Sequence, residues 1–398
     1  MLVNDRVLSG IGRQVFSGSE GIQRICIYIP TLHGGGAERM MVNLANDLTA
    51  RGYIVDLVLV EARGPYLAEI APAVSVVDLA AGGVISSLPA FASHLSKTRP
   101  AVVISALSHA NLIAILARML SRVPCRLIIS ERSVLFAPGM PERSWKDGLV
   151  RLLMKLLYPF ADQIVAISRG VQDDLHKWIG LPPGKVRTIY NPVVTAELPE
   201  LAAAPVPHAW LAKGEPPVIL GVGRLTAQKD FASLIRAFAV VRKERPCRLV
   251  ILGEGELRAD LEALVSEFDL KDDVLMPGFH NNPFAWMSRS AVFVFSSIFE
   301  GLGGALIQAM ACGTPVISTD CPSGPAEILE DGKWGRLVPV GDVQGLARAI
   351  RFTLAADSHP DVRMRAAFFS DKRSVNEYLE VCFPDLAADR SGAQAKCP

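Results

Sequence analysis

The most informative stretch of the chain is residues 299–318, with the sequence FEGLGGALIQAMACGTPVIS. It follows an apolar run, residues 291–295, that has the composition of a buried strand. The stretch supplies an acid, Glu300, and then three glycines: Gly301, Gly303 and Gly304. Glycine lets a backbone approach a ligand closely, and a helix that begins near Gly304 directs unpaired N–H groups and a partial positive charge at that ligand. The stretch therefore predicts a strand, a loop and a helix that hold a phosphate or an anionic leaving group.

Apolar runs typical of buried parallel strands recur on both sides of this stretch. In the first half of the chain they are residues 24–30, 55–60, 102–105, 127–130 and 164–168. In the second half they are residues 218–221, 249–252, 274–276, 291–295 and 316–318. Most of these runs are separated by stretches in which apolar residues recur at helical spacing. One such stretch is the helix predicted after the glycine-rich turn at residues 34–36. The alternation predicts an α/β chain with two doubly wound, Rossmann-like domains.

The length and the proline distribution indicate how the chain is divided. It has 398 residues, more than one ordinary core holds, so we expect two domains. Six prolines between residues 191 and 217 break the periodicity and indicate an interdomain linker. The expected order is a flexible leader (1–21), an N-terminal domain (22–195), the linker (196–216), a C-terminal domain (217–369), and a final helix with a tail (370–398).

Charge and cysteine content exclude several classes of protein. Lys and Arg number 41 against 40 Asp and Glu, and the resulting net charge of +1 argues against a general nucleic-acid binder. The seven cysteines are odd in number and form no C-x-x-C pair, so we expect reduced thiols in the cytoplasm. Two uncharged runs, residues 79–96 and 101–117, carry glycine, proline or polar residues where a membrane span should be apolar. Residues 1–21 lack the apolar core of a signal peptide, so a cytoplasmic protein is expected.

Residues 299–318 resemble the C-terminal signature of retaining glycosyltransferases of family 4, enzymes with the GT-B fold, which usually reads E-G-F-G-x-x-x-x-E-A-M-A-x-G-x-P-V. Glu300 holds the place of the first acid, whereas Gln308 stands where the family has its second acid. Residues 319–329, TDCPSGPAEIL, are similar to the branch of the family that builds bacterial surface glycans. The resemblance extends over residues 22–383. It implies two Rossmann-like domains that face each other across a cleft, with the final helix packed back on the N-terminal domain.

The resemblance also gives a role to two basic residues. Arg224 and Lys229 follow Gly223 after the first strand of the second domain, and they match the family's R-x-x-x-x-K diphosphate clamp. An arginine forks onto phosphate oxygens and a lysine adds a compact charge, so the pair can neutralise a departing diphosphate. The alternative is two unrelated surface residues. Their position at a strand end, facing a glycine-rich partner loop, favours the clamp.

Two further residues are expected to hold the donor. The resemblance implies that Glu300 accepts hydrogen bonds from the donor sugar and that Gln308 contacts the nucleotide ribose. An amide lacks the charge assistance of a carboxylate, so either donor affinity is reduced or the ribose is held differently. The alternative is that Gln308 is simply solvated on a helix. The backbone expected to line the donor belongs to Gly35, Gly36, Gly223, Gly301, Gly303 and Gly304.

Strand ends of the N-terminal half add further candidates. Gly35 and Gly36 lie in a turn whose N–H groups can reach the diphosphate or the acceptor, although any tight turn uses glycine. His109 lies where relatives place a histidine near the reacting sugar, and a purely structural histidine is the alternative. Glu131 and Arg132 end another predicted strand and are expected to contact the acceptor.

The sequence carries no signature of a metal site or a bound cofactor. No D-x-D pair occurs, and no His or Cys cluster has metal-ligand spacing. The charge of the leaving group would then be met by Arg224, Lys229 and helix N-termini. The turns that begin at Gly34, Gly221 and Gly253 all lack the third glycine of the dinucleotide fingerprint. These absences predict a metal-independent transferase and argue against a nicotinamide dehydrogenase.

Residues 143–158, RSWKDGLVRLLMKLLY, predict a basic amphipathic helix with an aromatic residue near each end. Such a face can lie in a membrane interface and contact anionic head groups. The alternative is that its leucines pack into the core. The family's frequent use of lipid-linked acceptors favours a peripheral contact with the cytoplasmic face of the inner membrane.

Together these features predict a glycosyltransferase that moves a sugar from a nucleotide diphosphate donor, with a UDP-sugar favoured. The expected acceptor is lipid-linked or a polysaccharide in bacterial surface-glycan synthesis, and the family retains the anomeric configuration. Two alternatives stay open. One is a nucleotide-sugar epimerase on the same architecture, and the other is a non-catalytic subunit that binds a nucleotide sugar, for which Gln308 is the argument.

Overall fold

The computed structural model describes residues 23–33, 35–135, 145–206 and 208–385. The predicted leader, the end of the predicted tail and the first two residues of the predicted basic helix lie outside these ranges. The strands are β1 (Arg24–Ile29), β2 (Ile54–Leu59), β3 (Ser75–Asp78), β4 (Val102–Ala106), β5 (Arg126–Glu131), β6 (Gln163–Ala166), β7 (Val186–Thr188), β8 (Val218–Val222), β9 (Arg248–Leu252), β10 (Val274–Gly278), β11 (Val292–Phe295), β12 (Val316–Thr319) and β13 (Arg336–Val338). The α-helices are α1 (Gly36–Ala50), α2 (Leu88–Thr98), α3 (Ser108–Ser121), α4 (Trp145–Leu157), α5 (Arg169–Asp174), α6 (Leu198–Ala203), α7 (Phe231–Glu244), α8 (Arg258–Glu267), α9 (Phe284–Met287), α10 (Gly304–Ala311), α11 (Pro325–Leu329), α12 (Val343–Ala355), α13 (Arg363–Ala366) and α14 (Asp371–Cys382).

The strands form two parallel sheets. The first has seven strands in the order β3-β2-β1-β4-β5-β6-β7, and the second has six in the order β10-β9-β8-β11-β12-β13. In the first sheet, Ile27 of β1 pairs with Leu57 of β2 on one side and with Ile104 of β4 on the other. All three side chains are fully buried, as expected for a parallel sheet covered on both faces. The topology confirms the predicted α/β class with two doubly wound domains.

The three strands that the sequence did not predict lie at or beside sheet edges. These are β3, β7 and β13, each three or four residues long. In β3 the side chain of Val76 is exposed, and in β13 that of Arg336 is exposed. An edge strand is hydrogen-bonded on one side only and is partly solvated, so it lacks the continuous apolar run that marks a central strand.

The strand order places one crevice in each domain. The chain winds outward in one direction from β1 and in the other from β4, and it does the same from β8 and β11. In open parallel sheets, ligands bind outside the carboxyl ends of the strands at such a switch point. The loops that follow β1, β4, β8 and β11 are therefore the ones that should contact ligands.

The last helix, α14, packs on the N-terminal domain although it follows the C-terminal one. Val375 and Tyr378 are buried in the same apolar cluster as β1 and β2. Arg126 of β5 donates a hydrogen bond to the carbonyl of Val381 at 2.7 Å. The chain therefore passes between the domains twice, and the two passages touch where Val193 N–H donates to the carbonyl of Phe369 at 3.0 Å.

The stretch expected to be a linker contains the helix α6, which contacts the C-terminal domain. Asn282 donates to the carbonyl of Leu201 at 2.8 Å, and the hydroxyl of Ser288 donates to that of Ala202 at 2.7 Å. Part of the proline-rich stretch is thus fixed to one domain.

Helix α4 has a buried side and an apolar exposed side. Met154 is buried, whereas Leu149, Leu152 and Leu156 are 46%, 53% and 58% exposed. Their spacing of three and four residues places them on one face of the helix. Among the residues described, no helix is both long and apolar enough to cross a membrane.

Candidate active site

The switch point of the C-terminal domain brings together three residues predicted from the sequence. Arg224 and Lys229 follow β8, and Glu300 follows β11. Lys229 Nζ lies 2.5 Å from Glu300 Oε1, and the two side chains are 18% and 11% exposed. Arg224 is exposed, and its side chain forms no hydrogen bond or ion pair with the residues that the structure describes. The loops at this switch point thus hold one partly buried ion pair and one unpaired cation.

Backbone contacts fix Lys229 opposite Glu300. Lys229 ends a short 3-10 turn, and its carbonyl accepts a hydrogen bond from Ser296 Oγ at 2.7 Å. The neighbouring Gln228 donates to the carbonyl of Phe299 at 2.8 Å, which ties the loop after β8 to the loop after β11. A Cβ at Gly223 would lie 3.3 Å from the Lys229 side chain, so glycine there lets the lysine pass closely.

The glycines after Glu300 serve different purposes. Gly303 has φ 103° and ψ 54°, a left-handed conformation that a residue with a Cβ rarely adopts. Gly304 is the first residue of α10, and a Cβ there would meet nothing within 4 Å among the residues described. Gly301 instead packs on the opposite domain, because a Cβ there would overlap the carbonyl oxygen of Arg132 and lie 2.9 Å from Ile167 Cδ1. Open space for a ligand is therefore found at Gly304.

Gln308 lies on α10, just over one turn after Gly304. Its side chain is half-buried and forms no hydrogen bond within the described part of the chain. It stays available to accept a hydrogen bond from a ligand hydroxyl. Its predicted contact with the ribose stays a prediction.

The glycine-rich turn of the N-terminal domain lies between β1 and α1. The N–H of Gly35 donates to Glu38 Oε2 at 2.6 Å, so an acidic side chain already occupies this position at the helix N-terminus. A Cβ at Gly36 would meet nothing within 4 Å of described atoms. Gly34 lies outside the described residues. An anion that bound the N–H of Gly35 would have to displace Glu38.

His109 follows β4 at the switch point of the N-terminal domain. It is the second residue of α3, it is exposed, and its side chain forms no hydrogen bond with any described residue. The preceding Leu107 has φ 79° and ψ 132°, which is strained for a residue other than glycine. This strained turn was not predicted from the sequence.

Glu131 and Arg132 were expected to face the cleft, but the structure places both side chains in the interior. Glu131 is fully buried, and its carboxylate accepts hydrogen bonds from Ser108 Oγ at 2.9 Å and from Tyr158 OH at 2.8 Å. Burial raises the pKa of this carboxyl above its ordinary value. The Arg132 guanidinium donates to Ser130 Oγ at 3.3 Å, and burial lowers its pKa. A direct contact of either side chain with an acceptor has no support in this geometry.

The two domains meet through polar contacts between the segments that follow β6 and β12. Ser168 Oγ lies 2.7 Å from Ser323 Oγ. One oxygen of Glu327 accepts hydrogen bonds from Arg169 N–H at 3.0 Å and from Tyr190 OH at 3.2 Å. Since Arg169 is the first residue of α5, the carboxylate of one domain caps a helix of the other. Burial raises the pKa of Glu327.

This cap was not predicted from the sequence. Glu327 and Ser323 belong to the stretch TDCPSGPAEIL, residues 319–329, which carried the resemblance to surface-glycan enzymes but gave no hint of a domain contact. The residue that could have indicated a close contact between the domains is Gly170, because a Cβ there would lie 2.6 Å from the Cβ of Ser323. Within the described part of the chain, no three His, Cys, Asp or Glu side chains cluster as a metal ion would require.

Two family models match the chain: "Glycosyltransferase Family 4" over residues 34–197 and "Glycosyl transferases group 1" over residues 207–368. A relative from Campylobacter jejuni, N-acetylgalactosamine-N,N'-diacetylbacillosaminyl-diphospho-undecaprenol 4-alpha-N-acetylgalactosaminyltransferase, is 32% identical over 347 residues. The match covers 84% of this chain and 91% of the relative. The chain belongs to glycosyltransferase family 4.

Solved structures agree with this family 4 assignment at the level of the fold. Sucrose-phosphate synthase from Thermosynechococcus elongatus has a TM-score of 0.76 at 21% identity, covering 92% of this chain and all of that one. HepE from Anabaena, solved with UDP and glucose, has a TM-score of 0.74 at 17% identity, covering 91% of this chain and all of its own. These likenesses confirm the predicted GT-B fold of this family 4 glycosyltransferase.

Proposed function

We propose that this chain is a retaining, metal-independent glycosyltransferase whose donor is a nucleotide diphosphate sugar, with a UDP-sugar favoured. One observation carries the proposal: the loop after β8 carries Arg224, whose side chain is unpaired among the described residues, and Lys229, whose ammonium group forms an ion pair with Glu300 after β11. This arrangement supplies cations for a diphosphate and a carboxylate for a sugar, where doubly wound sheets bind their ligands.

The diphosphate would be bound by three positive groups. The Arg224 guanidinium can fork onto phosphate oxygens. Lys229 Nζ, held by Glu300 and 5.2 Å from the centre of the Phe295 ring, would share its charge between the carboxylate and the leaving group. The N-terminus of α10, open at Gly304, adds backbone N–H groups. Together they would stabilise the charge that develops as the sugar–phosphate bond breaks.

Glu300 is suited to hold the sugar and poorly placed to attack it. Its carboxylate is tied to Lys229 at 2.5 Å and is largely buried. It would accept a hydrogen bond from a donor hydroxyl. The acceptor oxygen would then form its bond to the anomeric carbon on the face from which the diphosphate leaves, and the acceptor proton would pass to a leaving phosphate oxygen. This route retains the configuration without a covalent sugar–enzyme intermediate.

The acceptor is proposed to be lipid-linked or a polysaccharide, in bacterial surface-glycan synthesis. The name of the Campylobacter jejuni relative specifies a diphospho-undecaprenol acceptor, which supports the lipid-linked form. The exposed face of α4, formed by Leu149, Leu152 and Leu156, supports contact with the membrane that carries such an acceptor. Lys155 is exposed on the same helix and can meet anionic head groups.

The donor assignment is tested by calorimetric titration of the protein with UDP and with GDP, each with Mg²⁺ and with EDTA. We expect micromolar binding of UDP that EDTA leaves unchanged and that Arg224→Ala weakens at least tenfold. Arg236→Ala is the matched control, since Arg236 is exposed on α7. No binding of either nucleotide would overturn the proposal.

The membrane contact is tested by flotation with vesicles of zwitterionic lipid that contain a fraction of anionic lipid. Replacing Leu152 and Leu156 together by glutamate should abolish flotation. Phe352→Glu is the control, because Phe352 is an exposed apolar residue on α12 of the other domain. If the double variant floats like the unmodified protein, the α4 face is not a membrane contact.

A non-catalytic subunit is the second candidate, and Gln308 is the observation that favours it. An amide in place of the second acid weakens the expected hold on the donor. Gln308→Glu separates the two candidates, because an active transferase with a compromised ribose contact should gain donor affinity and turnover. A protein that binds UDP, transfers no sugar and gains nothing from this change would be a binding subunit.

A further inference from the structure

We infer that Glu131 and Ser108 are positioning residues that hold His109 toward the reacting sugar. The inference rests on the proposed transferase function and deepens it, since it gives a role to a buried carboxylate that the reaction itself does not use. It is carried by the strained turn after β4 and by the hydrogen bonds that surround that turn.

The strained residue is Leu107, between β4 and α3. Its φ of 79° and ψ of 132° lie in a region that glycine adopts readily and leucine does not. Such a conformation persists only where the surrounding structure imposes it, and it occurs preferentially at functional sites. Because His109 follows two residues later, this turn sets the direction in which the histidine projects.

The carboxylate of Glu131 is what holds the turn in place. Ser108 Oγ donates a hydrogen bond that is shared by both oxygens of Glu131, at 2.9 Å and 3.1 Å. Tyr158 OH donates at 2.8 Å and the N–H of Arg132 at 3.2 Å. Glu131 is 0% exposed, and a buried carboxylate is tolerated only when donors surround it. All of these donors belong to the protein, which leaves no oxygen of Glu131 facing the cleft.

A second anchor lies one turn further along α3. The side chain of Asn111 donates to the carbonyl of Ser130 at 2.9 Å, and its N–H donates to the carbonyl of Leu107 at 2.9 Å. The first turn of α3 is thus tied to the end of β5 at two points. His109 lies between these anchors, and its side chain is exposed and has no hydrogen-bond partner among the residues described.

Kinetics can distinguish a positioning role of Glu131 from a direct contact between Glu131 and the acceptor. If Glu131 bound the acceptor, its loss would raise the acceptor KM. If Glu131 acts through His109, its loss should lower kcat and leave that KM unchanged, since the substrate contacts themselves are intact. The loss should also have little effect once His109 is absent.

The experiment is a double-mutant cycle on the full-length protein with Glu131→Gln, His109→Ala and the combined variant, measured as kcat and KM for sugar transfer. We expect each single change to lower kcat tenfold or more. Glu131→Gln should lower it less than twofold further in the His109→Ala background. Independent multiplication of the two losses, or a raised acceptor KM with normal kcat, would overturn the inference.

Ser108 supplies a second test that does not disturb the buried charge. Ser108→Ala should reproduce the kcat loss, and Ser108→Thr, which keeps the hydroxyl, should restore most of it. Unfolding midpoints and UDP affinity show whether each variant is folded. A protein that transfers no sugar at all would refute the proposed function. An active protein in which His109→Ala or Ser108→Ala has normal kcat would refute only the inference.

Discussion

Replacing Gly301 with alanine should hold the two domains apart. The added methyl group would lie closer than 3.0 Å to the carbonyl oxygen of Arg132 and 2.9 Å from Ile167 Cδ1, both on the opposite domain. Ordinary contact begins at 3.4 Å, so relieving the Ile167 contact alone requires a separation of about 0.5 Å, and relieving the overlap with the carbonyl oxygen requires more. The carbonyl oxygen belongs to backbone directly after β5 and cannot rotate away as a side chain would.

The expected magnitude follows from the cost of overpacking. Inserting a methyl group into a well-packed contact costs about 1–3 kcal/mol. Since about 1.4 kcal/mol corresponds to a factor of ten, the ratio of closed to open molecules should fall roughly 5- to 150-fold. If transfer requires closure, kcat falls by the same factor. The nucleotide affinity of the C-terminal domain should stay within about twofold, because the methyl group meets Arg132 and Ile167 of the opposite domain.

The assay is steady-state transfer together with calorimetric titration of UDP. Gly304→Ala gives the opposite pattern, because a Cβ there enters open space beside the proposed diphosphate site and should weaken UDP binding. Gly82→Ala is the neutral control, with nothing described within 4 Å of its Cβ. Gly301→Ala with unchanged kcat, or with UDP affinity reduced in step with kcat, would refute the reasoning.

Three further changes test other contacts. Glu327→Ala removes charge-assisted hydrogen bonds between the domains, each worth about 1.5–3 kcal/mol. Small-angle scattering with UDP should therefore give a larger radius of gyration for this variant. An unchanged radius would show that this cap does not hold the domains together. Lys229→Met leaves Glu300 without its partner and should lower the unfolding free energy by about 1–3 kcal/mol, which is less than for a fully buried pair. Adding Glu300→Gln should restore part of this loss. An unchanged unfolding free energy of Lys229→Met in urea denaturation would contradict the pairing. Burial raises the pKa of Glu131, so the folded state keeps its proton to higher pH than the unfolded chain does. The unfolding free energy of the unmodified protein minus that of Glu131→Gln should therefore fall as pH rises above about 4.3, and a difference independent of pH would show that the shift is absent.

The central part of the fold could be predicted because burial leaves a strong pattern. Strands such as β4 and β11 are covered on both faces and read as continuous apolar runs. β7, with the sequence VRT, and β13, with RLV, are too short and too polar to show such a run. They form strands because each one pairs with a neighbouring strand at the edge of a sheet. The sequence does not show this pairing.

The candidate site was predictable in position and less so in orientation. Strand ends correctly indicated that Lys229 and Glu300 come together, because parallel strands end at the same edge of a sheet. The same rule could not tell which way Glu131 and Arg132 point. Tyr158 and Ser108 turn Glu131 inward, and Ser130 receives Arg132. Tertiary packing brings those partners together, and a sequence does not show tertiary packing. The contact between the domains at Glu327 could not be predicted for the same reason.

The return of α14 to the N-terminal domain has a consequence for how the protein is made. The ribosome synthesises every residue before Asp371 ahead of α14, yet Val375 and Tyr378 of this helix complete the apolar cluster that contains β1 and β2. The C-terminal sheet, β8 to β13, is continuous in sequence and can close its core first. The N-terminal domain is therefore translated first but completes its folding last. Nascent chains that stop short of α14 expose part of the apolar core of that domain, which chaperones would have to protect.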